Sequence, residues 1–225
     1  MGGHSIGVTG NIACGKSMVV RRLEQRGAVC IDADVVAHTL MRPGQPAWQA
    51  VVKAFGRTIL QPDGVIDRDV LRAIVFADRE QLRRRNAAVH PFVHRELVER
   101  VRTAPEGQVL VIEAVALVEA GTAALLDSLW LVLSRPELQV RRLRETRGLT
   151  DEEAWFRVRG QPPAEEKVAL ADIVIHNDGT LEELVEQVDR AWEVTRERWG
   201  CPKGDGGTGG WDASSGDTPA AQRGG

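Results

Sequence analysis

Gly10 to Ser17 reads GNIACGKS, preceded by the apolar run Ile6-Gly7-Val8 and followed by Met18-Val19-Val20, the start of a helical pattern. The string fits G-x-x-x-x-G-K-[ST], in which backbone N–H groups of a loop and of a helix N-terminus surround phosphate oxygens. Lys16 would set its ammonium between β- and γ-phosphates and the Ser17 hydroxyl would sit on Mg²⁺, so the loop suits a metal-bound nucleoside triphosphate. Ala13 stands where a left-handed backbone would prefer Gly. Cys14 lies beside N–H donors and Lys16, a setting that lowers a thiol pKa and would make the loop open to oxidation.

The 225 residues, 43% of them hydrophobic, allow one α/β domain with insertions or two small ones. No run approaches the ~18 apolar residues of a membrane span, and the N-terminus enters a strand without a signal-type apolar region, so no membrane is expected and a cytoplasmic location is. Cys14, Cys30 and Cys201 are odd in number and lack C-x-x-C spacing, which fits free thiols in a reducing compartment. A net charge of -3 argues against nucleic acid as a partner. Lysine occurs only at positions 16, 53, 167 and 203, all other basic residues being arginine, which sets the lysine of the loop apart. No internal repeat or heptad seam is present, and the oligomeric state is unspecified.

Taken in order, Ile6–Thr9 reads as a buried strand and Met18–Arg26 as a helix stopped by Gly27. Ala28–Ala33 is a second short strand ending in Asp32 and Asp34, which would face the phosphate loop because ligands of parallel sheets lie beyond the strands' carboxyl ends. One of the two acids would otherwise N-cap a helix starting near Val35. Pro46–Phe55 has the Pro and Gly56 boundaries of a helix, and Arg68–Thr103 is a long helical region expected to break at His90-Pro91, with His90 a boundary residue. Its arginines, Arg68, Arg72, Arg79, Arg83, Arg84, Arg85 and Arg95, suit either a solvated face or a phosphate-bearing second substrate.

Val109–Ile112 then ends in Glu113, like a Walker-B strand whose acid would hold Mg²⁺ through water or steady a nucleophile. Leu129–Leu133 and Ile173–Ile175 are further strands. Between them, a helix after Pro136 and a capping-box helix Asp151–Val158 bring Arg142, Arg147 and Arg157 together as a lid over phosphates. Thr180 and Glu183 cap a last helix. From Gly200 to Gly225 the composition turns to Gly, Pro, Ser and Asp, the mark of a disordered tail.

The series GNIACGKS, IDADVVAH (31–38), DGVIDRDVLRAIVF (63–76), His90-Pro91, QVRRLRETRGLT (139–150), RVRGQ with EEK (157–167) and ADIVIHNDG (171–179) resembles the dephospho-coenzyme A kinase family over Ile6–Trp199. The resemblance implies a P-loop kinase fold, an α/β core with a parallel sheet flanked by helices. The core would span about 1–60, 105–135 and 170–199, with a helical substrate insertion over about 61–104 and a lid over about 136–168. It implies ATP and dephospho-coenzyme A as substrates, Mg²⁺ as cofactor, and phosphorylation of the ribose 3′-hydroxyl. Asp34 would accept the hydroxyl proton, Lys16 and Arg147 would stabilise charge on the transferred phosphoryl, Arg142 is a second such arginine, and Asn177 would lie beside the adenine. Ala13, Cys14, Gly15, Lys16, Ser17 and Met18 would cradle the nucleotide, with Ser17 and Glu113 at the metal.

The chain departs from the family at Asn11, Ala13, Cys14 and Met18, and in Glu113–Glu119, EAVALVE, where a Pro and a Phe are replaced and Glu119 is kept. That segment faces the acceptor, so the alternatives are another P-loop nucleoside or nucleotide kinase and an ATP-binding paralogue without transfer. The retained Asp34, Arg142 and Arg147 count against the last.

Overall fold

The computed structural model describes residues 3–200. Five strands, β1 (His4–Thr9), β2 (Val29–Asp32), β3 (Val109–Glu113), β4 (Ser128–Leu133) and β5 (Ile173–His176), form one parallel sheet in the order β2-β3-β1-β4-β5. Val109 and Val111 join Ile6, Val8, Trp130 and Val132 in one core, while Leu110 and Ile112 join Ile31 and Leu129 in the other. Successive side chains of a strand face opposite ways, and both faces are covered, so the strands read as unbroken apolar runs.

Eight α-helices occur among the described residues: α1 (Lys16–Gln25), α2 (Ala33–Leu40), α3 (Pro46–Phe55), α4 (Arg68–Ala77), α5 (Arg79–Arg102), α6 (Pro136–Arg147), α7 (Asp151–Arg159) and α8 (Leu181–Arg198). Val19 and Leu23 of α1 pack with Leu184, Val188 and Trp192 of α8 on one face of the sheet. A two-pronged ion pair, Arg22 Nε and Nη2 to the Asp189 carboxylate at 2.7 and 2.6 Å, ties the same two helices. Val36 of α2 and Leu97 of α5 cover the opposite face. A separate core of Ala37, Val51, Ile59, Ile66, Leu71 and Val89 holds α2 to α5 together. The fourth core, Val140, Leu143, Ala154 and Val158, joins α6 to α7 and includes Ile12 and Ala13 of the phosphate loop.

Helix ends follow local chemistry. Thr150 and Thr180 each form the expected capping box, with Glu153 and Glu183, at the starts of α7 and α8. The helical region after Asp67 breaks elsewhere than at His90-Pro91. Asp78, extended at φ -148°, accepts the N–H of Glu80 and starts a new helix, whereas Pro91 lies inside the 24-residue α5. Pro91 removes one backbone donor, but Val89 and Leu97, both almost wholly buried, hold the helix on either side of it. His90 is therefore a mid-helix residue. The Gly-rich tail expected over 200–225 lies, from residue 201 on, outside the described residues.

Candidate active site

β1 ends at Thr9, and the chain turns through Gly10–Gly15 into α1. Gly10 has φ +147°, and a side chain there would collide with the Val132 carbonyl and the Cys14 sulfur. Gly15, at φ +100°, has the Asn177 amide where a Cβ would stand. Ala13 takes the left-handed conformation at φ 55°, as its position in the loop anticipated. Lys16 is buried, its ammonium donating to the carbonyls of Gly10 (3.0 Å) and Asn11 (3.2 Å). Ser17 is exposed at the first turn of α1, whose N–H groups have no intrahelical partners. Met18 is half-buried and packs into the core below.

A second layer fixes the loop from behind. Asn177 donates to the Cys14 carbonyl at 2.8 Å. Arg142 spends Nη1 on the carbonyls of Ala13 and Cys14 and on the Ser134 hydroxyl, at 3.2, 3.3 and 3.0 Å, and Nη2 on the Asn177 carbonyl at 2.8 Å. Burial pushes its guanidinium pKa down, yet an arginine of this kind stays charged. From the lid side, Gln161 Oε1 accepts the N–H of Ile12 at 2.7 Å, and Asn11 donates to the Pro162 carbonyl at 2.9 Å. Arg147, at the end of α6, is exposed, and its side chain makes no hydrogen bond or ion pair among the described residues. The Cys14 thiol is buried, and this desolvation pushes its pKa up against the pull of Lys16. The expectation of a reactive, low-pKa thiol is thus corrected: the sulfur packs in the core under the loop.

The acids sit at the neighbouring strand ends. Glu113 is opposite both Val8 of β1 and Asp32 of β2. Burial raises its pKa, Lys16 opposes this, and Asp32, Asp34 and Glu24 reinforce it. Of the two β2 acids, Asp32 is the cap, accepting the N–H groups of Asp34 (2.7 Å) and Val35 (3.2 Å), so α2 begins at once at Ala33. Asp34 is thereby left exposed on the wall of a cavity of about 170 Å³. The opposite wall is α5, with Arg85, Asn86, His90 and His94, and the floor is the segment Ala114–Leu117. Arg85 loses hydration there and its pKa falls, with Asp34 opposing the fall; His90 falls too, through burial and then Arg85.

Arg85 also lines an adjoining groove of about 560 Å³ with Arg42, Arg68, Arg72 and the apolar Ile66 and Leu71. Asn86, His90 and His94 were not singled out as site residues from the sequence. Their i, i+4, i+8 spacing beside buried Val89 and Leu97 was the signal that marks a polar stripe on one helix face. No cluster of three or more metal-ligating side chains occurs among the described residues.

A glycine-lysine phosphate loop at the head of α1, acids at the ends of the adjacent strands and a helical pair folded over the loop define a P-loop kinase, an enzyme that transfers a phosphoryl group. The family model for dephospho-CoA kinase matches residues 4–183, and the chain belongs to that family. Among its relatives, the dephospho-CoA kinase of Geobacter sulfurreducens is 44% identical over 83% of this chain and 96% of its own length. That of Carboxydothermus hydrogenoformans is 42% identical over 81% and 90%. A solved Thermus thermophilus protein superposes with a TM-score of 0.73 at 33% identity, over 86% of this chain and 98% of its own. The dephospho-CoA kinase of Campylobacter jejuni, at 24% identity, shares the fold with a TM-score of 0.65 over 86% and 98%.

Proposed function

We infer that the chain transfers the γ-phosphoryl of ATP to the ribose 3′-hydroxyl of dephospho-CoA, giving ADP and CoA, with the reacting atoms between Lys16 and Asp34. The single observation that carries this reading is Asp34 itself, freed by the Asp32 cap and sharing with Arg85 a cavity whose Val115 is tied to Thr9, the residue before the phosphate loop. In the reaction, Asp34 takes the proton of the 3′-hydroxyl, the oxygen bonds to the γ-phosphorus, and the bond to the β,γ-bridging oxygen breaks. The attack is in line, so positioning and charge neutralisation do most of the work.

Lys16 supplies positive charge at the transferred group and exchanges its loop carbonyls for phosphate oxygens. Arg147, without a partner of its own, closes onto the same charge when the lid moves. Arg142 and Asn177 bind nucleotide by holding the carbonyl side of the loop, which turns its N–H side toward the phosphates. The oxygen donors here, the exposed Ser17 hydroxyl and the Glu113 carboxyl, fit a hard cation that keeps waters and shares substrate phosphates, as Mg²⁺ does. Ser17 and Glu113 would hold it, and it would neutralise phosphate charge. The insertion over 61–104 bears the acceptor: the arginines of the groove match its diphosphate, and Ile66 and Leu71 its apolar arm. No helix of the described residues is long and apolar enough to cross a membrane, and we place the reaction in the cytoplasm, where the thiols stay reduced.

An ADP-release assay over a panel of acceptors tests this. Dephospho-CoA is expected to be preferred over plain nucleosides and nucleotides, and Asp34→Asn to lose about 10²- to 10⁴-fold in kcat. Equal use of plain nucleosides would overturn the acceptor, and an undiminished Asp34→Asn rate the base.

A further inference from the structure

Lys167 is one of only four lysines in the chain, and its side chain is 7% exposed. It is placed just beyond α7, at the end of the lid segment, far in sequence from what it touches. Its ammonium pairs with Glu119 Oε1 at 2.8 Å and approaches the Val115 carbonyl at 3.4 Å. That carbonyl also accepts from Thr9 Oγ1, at 3.0 Å, just before the phosphate loop. Val115 and its neighbours Ala114, Ala116 and Ala120 wall the cavity that faces Asp34. Six residues earlier, Gln161 and the Pro162 carbonyl grip Ile12 and Asn11 of the phosphate loop. One short stretch thus holds both loops.

A buried ammonium costs free energy unless it is paired and hydrogen-bonded, so its partners are expected to be fixed in place by it. Both partners belong to the loop after β3. We propose that Gln161–Lys167 is a strap that sets the two substrate loops relative to each other, with Lys167 positioning the acceptor wall and Gln161 positioning the phosphate loop. The bland account is that both contacts only add stability. The two accounts differ in what they do to the substrates, because a strap acts on each loop separately.

The inference rests on the reading of the Asp34 cavity as the acceptor site, so the test carries a control for that reading. Steady-state kinetics with both substrates varied would be run on the full chain and on Lys167→Met, Gln161→Ala, Thr9→Val and Arg85→Met. Lys167→Met is expected to raise the acceptor KM about tenfold, the loss of roughly 1.4 kcal/mol, with the ATP KM within about twofold. Gln161→Ala should do the reverse. Thr9→Val, similar in shape, shifts the acceptor KM in the same direction by less and carries the test if Lys167→Met does not fold. A fall in thermal midpoint with both KM values unchanged in these variants overturns the strap. Arg85→Met separates the two failures: an unchanged acceptor KM there rejects the cavity as the acceptor site, whereas a raised one alongside normal strap variants rejects the strap alone.

Discussion

Ala13 pays in part for its left-handed backbone through its methyl group. A non-glycine residue at φ 55° costs about 1–2 kcal/mol, and the partly buried methyl offsets part of this, less than the roughly 0.8 kcal/mol of a fully buried one, by packing on the core that joins α6 to α7. Glu113 carries a different cost. Burial raises its folded pKa, so the folded chain binds this proton more tightly than the unfolded one. The resulting stability is complete below the ordinary carboxylate pKa, about 4.3, and is lost as pH rises through the elevated value. Nucleotide-free Glu113→Gln should therefore unfold at a higher temperature than the parent at pH 7, with the gap closing near pH 4, while its turnover falls; thermal unfolding followed against pH measures this, and a gap independent of pH would contradict it. Lys16 and Ser17 were singled out by the motif and Glu113 by its strand-end position, whereas position alone left Asp32 and Asp34 as equals and only the family resemblance chose Asp34. The clasp of Asn177 on Cys14 was not legible, since the partners are 163 residues apart and only the sheet brings them together. The fate of Cys14 was hidden for the same reason: local N–H donors and Lys16 argue for a thiolate, and the core that desolvates it comes from elsewhere in the chain.

At the scale of elements, all five strands and the ends of α3, α7 and α8 were readable, because short apolar runs, the Pro46 and Gly56 boundaries and the two Thr-x-x-Glu patterns are local signals. The Asp78 break was not, because Pro91 is the stronger local signal and was overruled by packing on Val89 and Leu97. This makes Pro91 a test of what shapes α5. Pro91→Ala restores a donor for the carbonyl of Ala87 and should stabilise the protein by about 1–3 kcal/mol, a rise of several degrees in thermal midpoint. If buried Val89 and Leu97 alone set the helix's position, Asn86, His90 and His94 keep their places and the acceptor KM is unchanged. A stabilised variant with a weakened acceptor KM would show instead that the proline shapes the cavity wall. The order of the cores supports the first outcome, since Val89 belongs to the helical core and Leu97 to the sheet, anchoring α5 at two points around the proline.

Across the whole molecule the two substrate sides are built on separate cores that meet at the sheet's carboxyl edge. The core that joins α6 to α7 has Ile12 and Ala13 packed against it, so whatever orders the phosphate loop also orders α6 and α7; the wall we propose for the acceptor belongs to α2, α5 and the loop after β3. Each ligand should then slow hydrogen exchange in its own half. With Mg-ADP at about 100 times its Kd, the linkage stabilises up to about 2.7 kcal/mol, so exchange in residues 136–159 should slow by as much as about 100-fold. Dephospho-CoA alone should protect α2 and α5 and leave α6 and α7 little changed. The strap from Gln161 to Lys167 touches both halves, so it is the one segment expected to respond to either ligand. Protection spread evenly over both halves by Mg-ADP alone would mean that the cores are not energetically separate. It would also move the coupling from the strap to the sheet itself, because β1, which leads into the phosphate loop, pairs directly with β3, which leads into the acceptor-side loop.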